Sequence, residues 1–357
     1  MGMNEEFARD PLSPDDLAAY AIDAHDAEHA VGIAAHLDTR PDAVRWEQVL
    51  RSAAGEFAAA VVRDVTPDPG LRSRVLAAAR QRREPAAVVA GASPIEVHRV
   101  ELARAILLLR DLTVDDWAEP VDPPEFAGWT VHDVVVHLMA NESLFASQLA
   151  VPVSGIPETA TDNVGRTAQA QARHAGRPPA RAVAELEAAA EATSAEVMIR
   201  GEARLYEPID WWGGRAATWI ALLVRAFEAW THADDIRRAI GADMVNPPPA
   251  SLLTMAHGAC GFVPSMLAAR GSFHPGRLIR FRFTDLGDAA WDIDLGTVGG
   301  VRPAGDDAVD AEIITEAAAA CRSVSARIDP CQLAYDLIGD EQLARDVVDA
   351  LPALAVL

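Results

Sequence analysis

Apolar and polar positions divide this 357-residue chain into three stretches with different periods. Residues 1–90 carry short amphipathic runs, Pro14–Ala21 and Ala43–Val62. A Pro-containing break, Thr66-Pro-Asp-Pro-Gly70, and an Arg/Ala-rich helical run, Leu71–Arg83, follow them. Ala86–Pro94, made of small residues and Pro, reads as a linker. From 94 to 245 the pattern is helical. Glu96–Arg110 places Val97, Val100, Leu102, Ile106, Leu107 and Leu109 on a broad apolar face. A second helix is predicted to begin at Thr130-Val-His-Asp133, a capping-box pattern, and to run to about Ala150. A third covers Arg181–Arg200. A fourth covers Arg215–Ile240 and stops at Gly241. The segment 151–178 reads as one long polar loop, of the length often used for lids or site-lining segments.

After Asn246-Pro-Pro-Pro249 the pattern changes again. One helix is predicted over Ala250–Ala269. Leu278–Thr284 and Ala290–Leu295 alternate like paired strands around Asp285-Leu-Gly-Asp288, and Val309–Ile314 reads as a third strand. The tail from Thr315 is mostly helical in pattern. The expected fold is therefore mainly α. It comprises a short helical region over 1–90, a four-helix bundle over 94–245 and a small α+β domain over 246–357.

Composition narrows the chemistry. With 53 acidic against 31 basic residues the formal charge is −22, which argues against a general nucleic-acid or anionic-membrane partner. Every basic residue is Arg, so a Schiff-base lysine, a P-loop lysine and a lysine general base are all excluded. The three Cys, at 260, 321 and 331, form no Cys-x-x-Cys pair, which fits a reducing cytoplasm better than a disulfide framework. The acidic start Met-Gly-Met-Asn-Glu-Glu is unlike a signal peptide. The most apolar helical run, Trp219–Trp230, is short and interrupted by Arg225 and Glu228, so no membrane span is expected.

Bundles build metal sites from side chains on facing helices, often with two ligands one turn apart. Glu228 and His232 are four residues apart on the fourth helix and project together. His137 lies beside the stripe Val131, Val134, Val135, Leu138 on the second helix. Spacing alone leaves two readings open. These residues are a three-ligand site, or Glu228 and His232 are a surface pair and His137 a hydrogen-bonded core histidine. Glu228 sits in an apolar segment, where an unpaired carboxylate is costly, and this favours the first reading. His132 is expected on another face, exposed to solvent. His257 and Cys260 are expected to pack within a helix.

The bundle resembles the metal-binding domain of the mycothiol-dependent maleylpyruvate isomerase family, a branch of the DinB-like bundles. The resemblance is carried by Leu112-Thr-Val-Asp-Asp-Trp117, Gly128-Trp-Thr-Val-His-Asp-Val-Val-Val-His-Leu138 and Glu228-Ala-Trp-Thr-His-Ala-Asp-Asp-Ile-Arg-Arg-Ala239. It implies metal ligands at His137, Glu228 and His232. The region from about Arg277 through Gly339-Asp340 is similar to the same family's C-terminal domain. Two His and one carboxylate leave Zn²⁺ an open position, and other first-row metals accept the same set. A thiol there loses its proton and becomes a nucleophile for a small electrophile, by isomerisation or by thiol transfer. The resemblance implies mycothiol as the thiol. Arg327, in Ser-Ala-Arg-Ile-Asp-Pro, matches an Arg of the family's C-terminal domain and is read either as a catalytic-site ligand for a substrate carboxylate or as a structural Arg.

Asp15–Ala21 through Ala35-His36-Leu-Asp-Thr-Arg-Pro-Asp-Ala43 resembles a zinc-binding anti-sigma domain. Arg40 and Ala43 stand where that domain has its two Cys, so a zinc site there is not expected. His25, His29 and His36 read better as an exposed polar face than as a replacement site. The leading function is thus a metal-dependent thiol transferase or isomerase. The alternative is an anti-sigma-like regulator that senses metal or thiol without turnover and binds a sigma factor through residues 1–90.

Overall fold

A computed structural model describes residues 91–357, apart from 123–127, 154, 212, 213 and 357, together with Ile33, Leu37 and Arg51. Residues 83–357 form one compact unit and residues 1–82 another. The expectations for His25, His29, His36, Arg40, Ala43 and a sigma-factor surface lie outside the described residues. Helices and strands of the second unit are numbered here in chain order.

The bundle is built from α1 (Pro94–Arg110), α2 (Val131–Gln148), α4 (Pro179–Arg200) and α6 (Thr218–Ala239). Two of these helices begin on reciprocal capping boxes, Ser93 with Glu96 and Thr130 with Asp133. Each box satisfies N–H groups that a helix start would otherwise leave unbonded. Between α2 and α4 lies α3 (Asn163–His174), inside the stretch that reads as a loop in the sequence. Its buried positions are Arg166, Thr167, Ala170 and His174. Polar and small side chains therefore make its inward face, and a search for apolar periodicity passes over it. A short helix, α5 (Glu202–Tyr206), and a hairpin, β1 (Pro208–Trp211) with β2 (Gly214–Ala217), precede α6. Arg215 is thus in a strand, and the fourth helix starts three residues later than expected.

The C-terminal part begins with α7 (Pro249–Gly261) and α8 (Val263–Ala269), a single expected helix that bends by 47°. Pro264, at the start of α8, cannot donate to the carbonyl one turn back, which accounts for the bend. Among the described residues no single helix is long and apolar enough to cross a membrane. A sheet comes next in the order β5-β4-β3-β6-β7, from β3 (Leu278–Phe283), β4 (Ala289–Asp294), β5 (Val301–Pro303), β6 (Ala311–Thr315) and β7 (Tyr335–Gly339). β3 pairs antiparallel with β4 and parallel with β6. α9 (Ala317–Val324) and α10 (Glu341–Ala350) complete the unit. The tail is less helical than its pattern suggests, because β7 runs antiparallel to β6 within it.

α6 belongs to two cores at once. Ala229, Ala233 and Ile236 pack with α1 and α2 in the bundle core. Leu223, Ala226 and Trp230 pack with α7, α8 and the sheet. A helix apolar on nearly every side is one buried on nearly every side, so polar groups placed on it are held away from water.

Candidate metal centre

Four polar residues of α6, Arg225, Glu228, His232 and Asp235, are spaced by three, four and three, which puts them along one face of the helix. α2 faces them with His137, Asn141 and, one position on, Glu142. One donor atom from each of His137, Glu228 and His232 lies within 4.8 Å of the other two. The two imidazole rings stand 5.2 Å apart, edge to face. Two ligands about 2.1 Å from a tetrahedral ion are themselves separated by roughly 3.4 Å. Small side-chain rotations therefore bring the three donors to coordination distance.

Each member of the trio is oriented by a neighbour. His232 Nδ1 lies 3.1 Å from Asp235 Oδ2. His137 Nδ1 lies 3.0 Å from Thr167 Oγ1, which α3 supplies. In both rings Nε2 is then the nitrogen that can face an ion, the arrangement in which an outer hydrogen bond fixes tautomer and ring orientation. Asn141 Nδ2 approaches His137 Nε2 at 3.1 Å. The Oδ1 of Asn141 is buried with no partner among the described residues, so this amide has capacity left for a bound group. Burial, and then the charges of His232, Arg225 and Arg327, push His137 well below the usual imidazole range. The ring is neutral at physiological pH, the form that ligates a metal.

Glu228 accepts a hydrogen bond from Arg225 Nη1 and is 22% exposed, on the cavity side of the trio. Arg225 is itself fully buried. It donates to Glu142 Oε2 at 3.2 Å and to the Leu138 carbonyl at 3.2 Å. Glu142 in turn lies 3.0 Å from His98 Nε2. Burial would raise the Glu142 carboxyl, but His98 and Arg225 outweigh it and hold it at about 2. The carboxylate that an apolar segment alone could not accommodate is thus carried on a buried chain of paired charges.

Arg327 reaches the site from the C-terminal domain. Its Nε and Nη2 donate to Asp235 Oδ1 and Oδ2 at 3.1 and 2.7 Å, and its Nη1 donates to the Ser325 carbonyl at 2.5 Å. Burial would raise Asp235, but hydrogen bonds with His232 and Arg327 outweigh it and keep the carboxyl below its ordinary range. The preceding residue, Asp234, accepts on one oxygen, Oδ2, from Nη2 and Nε of Arg322 of α9, at 2.8 and 3.0 Å. The consecutive Asp residues of Ala-Asp-Asp are therefore the points at which two arginines of the C-terminal domain hold α6. Arg327 also lines a cavity of about 330 Å³ that opens beside the trio. The rest of the wall is mostly apolar: Trp219, Ile220, Leu223, Val224 and Phe227 from α6, Met255, Ala259 and Phe262 from the α7 region, and Val324 and Leu354 from the tail.

The weaker candidates sit elsewhere. His132 is half-buried, not exposed. Its ring packs on His174 at 6.2 Å and on Trp117 at 6.4 Å. His257 packs on Trp291 at 5.4 Å. Cys260 belongs to the C-terminal core, where burial pushes its thiol up to about 12. The structure brings the trio and Arg327 of the sequence analysis to one cavity. Sequence reasoning misses Arg225, Asp235, Asn141 and Thr167. The first two were available from the three-four-three spacing on α6, whereas Thr167 depends on recognising α3.

Residues 98–237 match the family model described as the mycothiol maleylpyruvate isomerase N-terminal domain. No curated protein matches the chain. Two solved structures are similar to it, a mycothiol-dependent maleylpyruvate isomerase and a mutant of the same enzyme. They are 15% and 14% identical, each with a TM-score of 0.46, over 68% of this chain and 91% of the other. The matched residues begin in α1 and end in α6, so they take in all three donors and leave out Arg327 and the sheet. The bundle that carries the trio is thus the part of this chain that matches the mycothiol maleylpyruvate isomerase N-terminal domain model.

Proposed function

We propose that this protein is an enzyme that uses a divalent metal, zinc above others, to present a low-molecular-weight thiol to a small electrophile. The observation that carries this reading is the convergence of two imidazoles and one carboxylate on one mostly apolar cavity. The family match adds mycothiol as the thiol and isomerisation as the reaction class. A divalent ion in that donor set would keep a bound thiol in its thiolate form at neutral pH.

The chain's own residues do the rest. Asp235 holds the His232 ring through Nδ1, and Thr167 holds His137 in the same way. Arg225 fixes the Glu228 carboxylate, and the wall beside it is mostly apolar. A thiolate held there would supply a nucleophile that adds reversibly to a conjugated alkene, the π pair passing to the conjugated carbonyl oxygen. Rotation about the former double bond and departure of the same thiolate would return the other isomer with no net change in atoms. Protonation of the α-carbon by solvent would give the thioether instead.

The test is metal content. Wild-type protein is expected to carry about one equivalent of metal, and His137→Ala and His232→Ala to carry none, with helical circular dichroism retained. In cobalt-loaded protein, adding a small thiol is expected to produce a sulfur-to-metal charge-transfer band. Full metal retention in both variants, or no band with any thiol, would remove the reading.

A further inference from the structure

The cavity beside the trio is poor in unspent charge. Its lining has one carboxylate, Glu228, and one guanidinium, Arg327. Glu228 is paired with Arg225, whose other face is paired with Glu142. Arg327 is paired through two nitrogens with Asp235. Asp235 is fully buried and also orients His232. If Arg327 turned to hold a substrate carboxylate, Asp235 would lose both of its guanidinium hydrogen bonds and keep only the longer 3.7 Å ion pair to the more exposed Arg238, a costly exchange for a fully buried carboxylate. At the trio the lining is polar, with Asn141 and Thr231 beside the two imidazoles, whereas the wall between α6 and α7 is apolar: Trp219, Ile220, Leu223, Phe227, Met255 and Phe262. A carboxylate set against that surface would lose its hydration without a replacement, whereas an aryl or alkyl group would gain from burial.

We propose, resting on the thiol-transfer reading above, that the electrophile is an uncharged, apolar conjugated carbonyl compound, with an aryl or branched alkyl group seated between α6 and α7. This makes the cavity a specificity pocket that selects against anionic acceptors. Ile220, half-exposed at the start of α6, is the wall position at which that preference can be changed without touching the trio.

Calorimetric binding to the full-length protein as purified, with no thiol added, tests this. The two probes are 4-phenylbut-3-en-2-one and its para-carboxylate, which share the reactive enone and differ by one charge. The neutral enone is expected to bind about tenfold or more tightly than the carboxylate. Ile220→Arg is expected to reverse the order by supplying an unpaired cation to the wall, with metal content unchanged. Equal or tighter binding of the carboxylate by the wild type, or no measurable binding of the neutral enone, would overturn the proposal. Metal content measured on the same samples reports separately on the thiol-transfer reading. Loss of the metal assignment leaves the binding preference standing, and a carboxylate preference leaves the metal assignment standing.

Discussion

The bundle and the C-terminal sheet both bury charged side chains, but they arrange them differently. In the sheet the pairs are cross-strand rungs. Arg280 lies directly opposite Asp292 and binds it at 2.6 and 3.1 Å, and Arg282 reaches Glu312 at 2.6 Å. The alternate residues of the same strand, Ile279, Phe281 and Phe283, fill the core beneath. Arg302 also approaches Asp292, at 3.8 Å, and pairs with Asp307, so these charges close on one another within the sheet and its loops. In the bundle the pairs are strung end to end, His98 to Glu142 to Arg225 to Glu228, and Arg327 to Asp235 to His232. Both strings stop at donor atoms that face one cavity. Charges that end on each other hold a fold together. Charges whose chains end on a cavity present oriented donor atoms to it.

The same substitution in each region tests that distinction most sharply. Asp235→Asn and Asp292→Asn each remove a fully buried carboxylate charge from a half-buried arginine, and each is expected to cost about 1.5–3 kcal/mol of unfolding free energy in urea titrations. Only Asp235→Asn is expected to weaken metal binding, by about 10–100-fold in competition with a chelator, because it loosens the His232 ring. Equal metal affinity in the two variants would mean that the Asp235 string is as purely structural as the rung at Asp292.

The two regions are also expected to fail at opposite ends of the pH scale. Glu142 is held at about 2, below its ordinary 4.5. Its stabilisation is therefore complete above about 4.5 and is lost as the pH falls toward 2. Cys260, in the C-terminal core, is pushed up from 9 to about 12. The unfolded chain then releases its proton first, and stability falls as pH rises above about 9. The chain has no Lys and only three Tyr, so few other groups titrate in that range. In urea unfolding across the pH scale, Glu142→Gln is expected to flatten the acid limb and Cys260→Ala the alkaline limb. A Glu142→Gln variant with the full wild-type acid limb would remove Glu142 from its cause.

How far this difference could be read from the sequence depends on periodicity. Apolar repeats marked α1, α2, α4 and α6 and the β3–β4 hairpin, because each buries a hydrophobic face that recurs at 3.6 or 2 residues. The trio was legible because His137, Glu228 and His232 interrupt such faces with groups that do not belong there. α3 was not legible, because its inward residues, Arg166, Thr167 and His174, are themselves polar and find partners only once the chain has folded. β7 was missed for another reason. It is an edge strand of five residues, half-buried at best, and its partner β6 decides its conformation. The roles of Asp234 and Asp235 were invisible for the same cause, since the arginines that meet them lie 88 and 92 residues further on.

The smallest expected effect probes the seam where the two regions meet. Gly258 lies inside α7 and lines the cavity, and a Cβ there would stand 3.0 Å from Leu223 Cδ1 on α6. Replacing an interior helical Gly by Ala gains about 1 kcal/mol from propensity. Leu223 must move by a few tenths of an ångström, and pushing it off its rotamer costs about 0.5–1.5 kcal/mol. The two effects nearly cancel, because Leu223 borders open cavity and can turn into it. Gly258→Ala is therefore expected to change unfolding free energy by less than about 1 kcal/mol, to leave metal content unchanged and to weaken binding of the neutral enone by shrinking its seat. A loss of more than about 2 kcal/mol would mean that Leu223 has nowhere to go. The bundle and the sheet would then share one unyielding core at this seam, instead of meeting across a space that a ligand can fill.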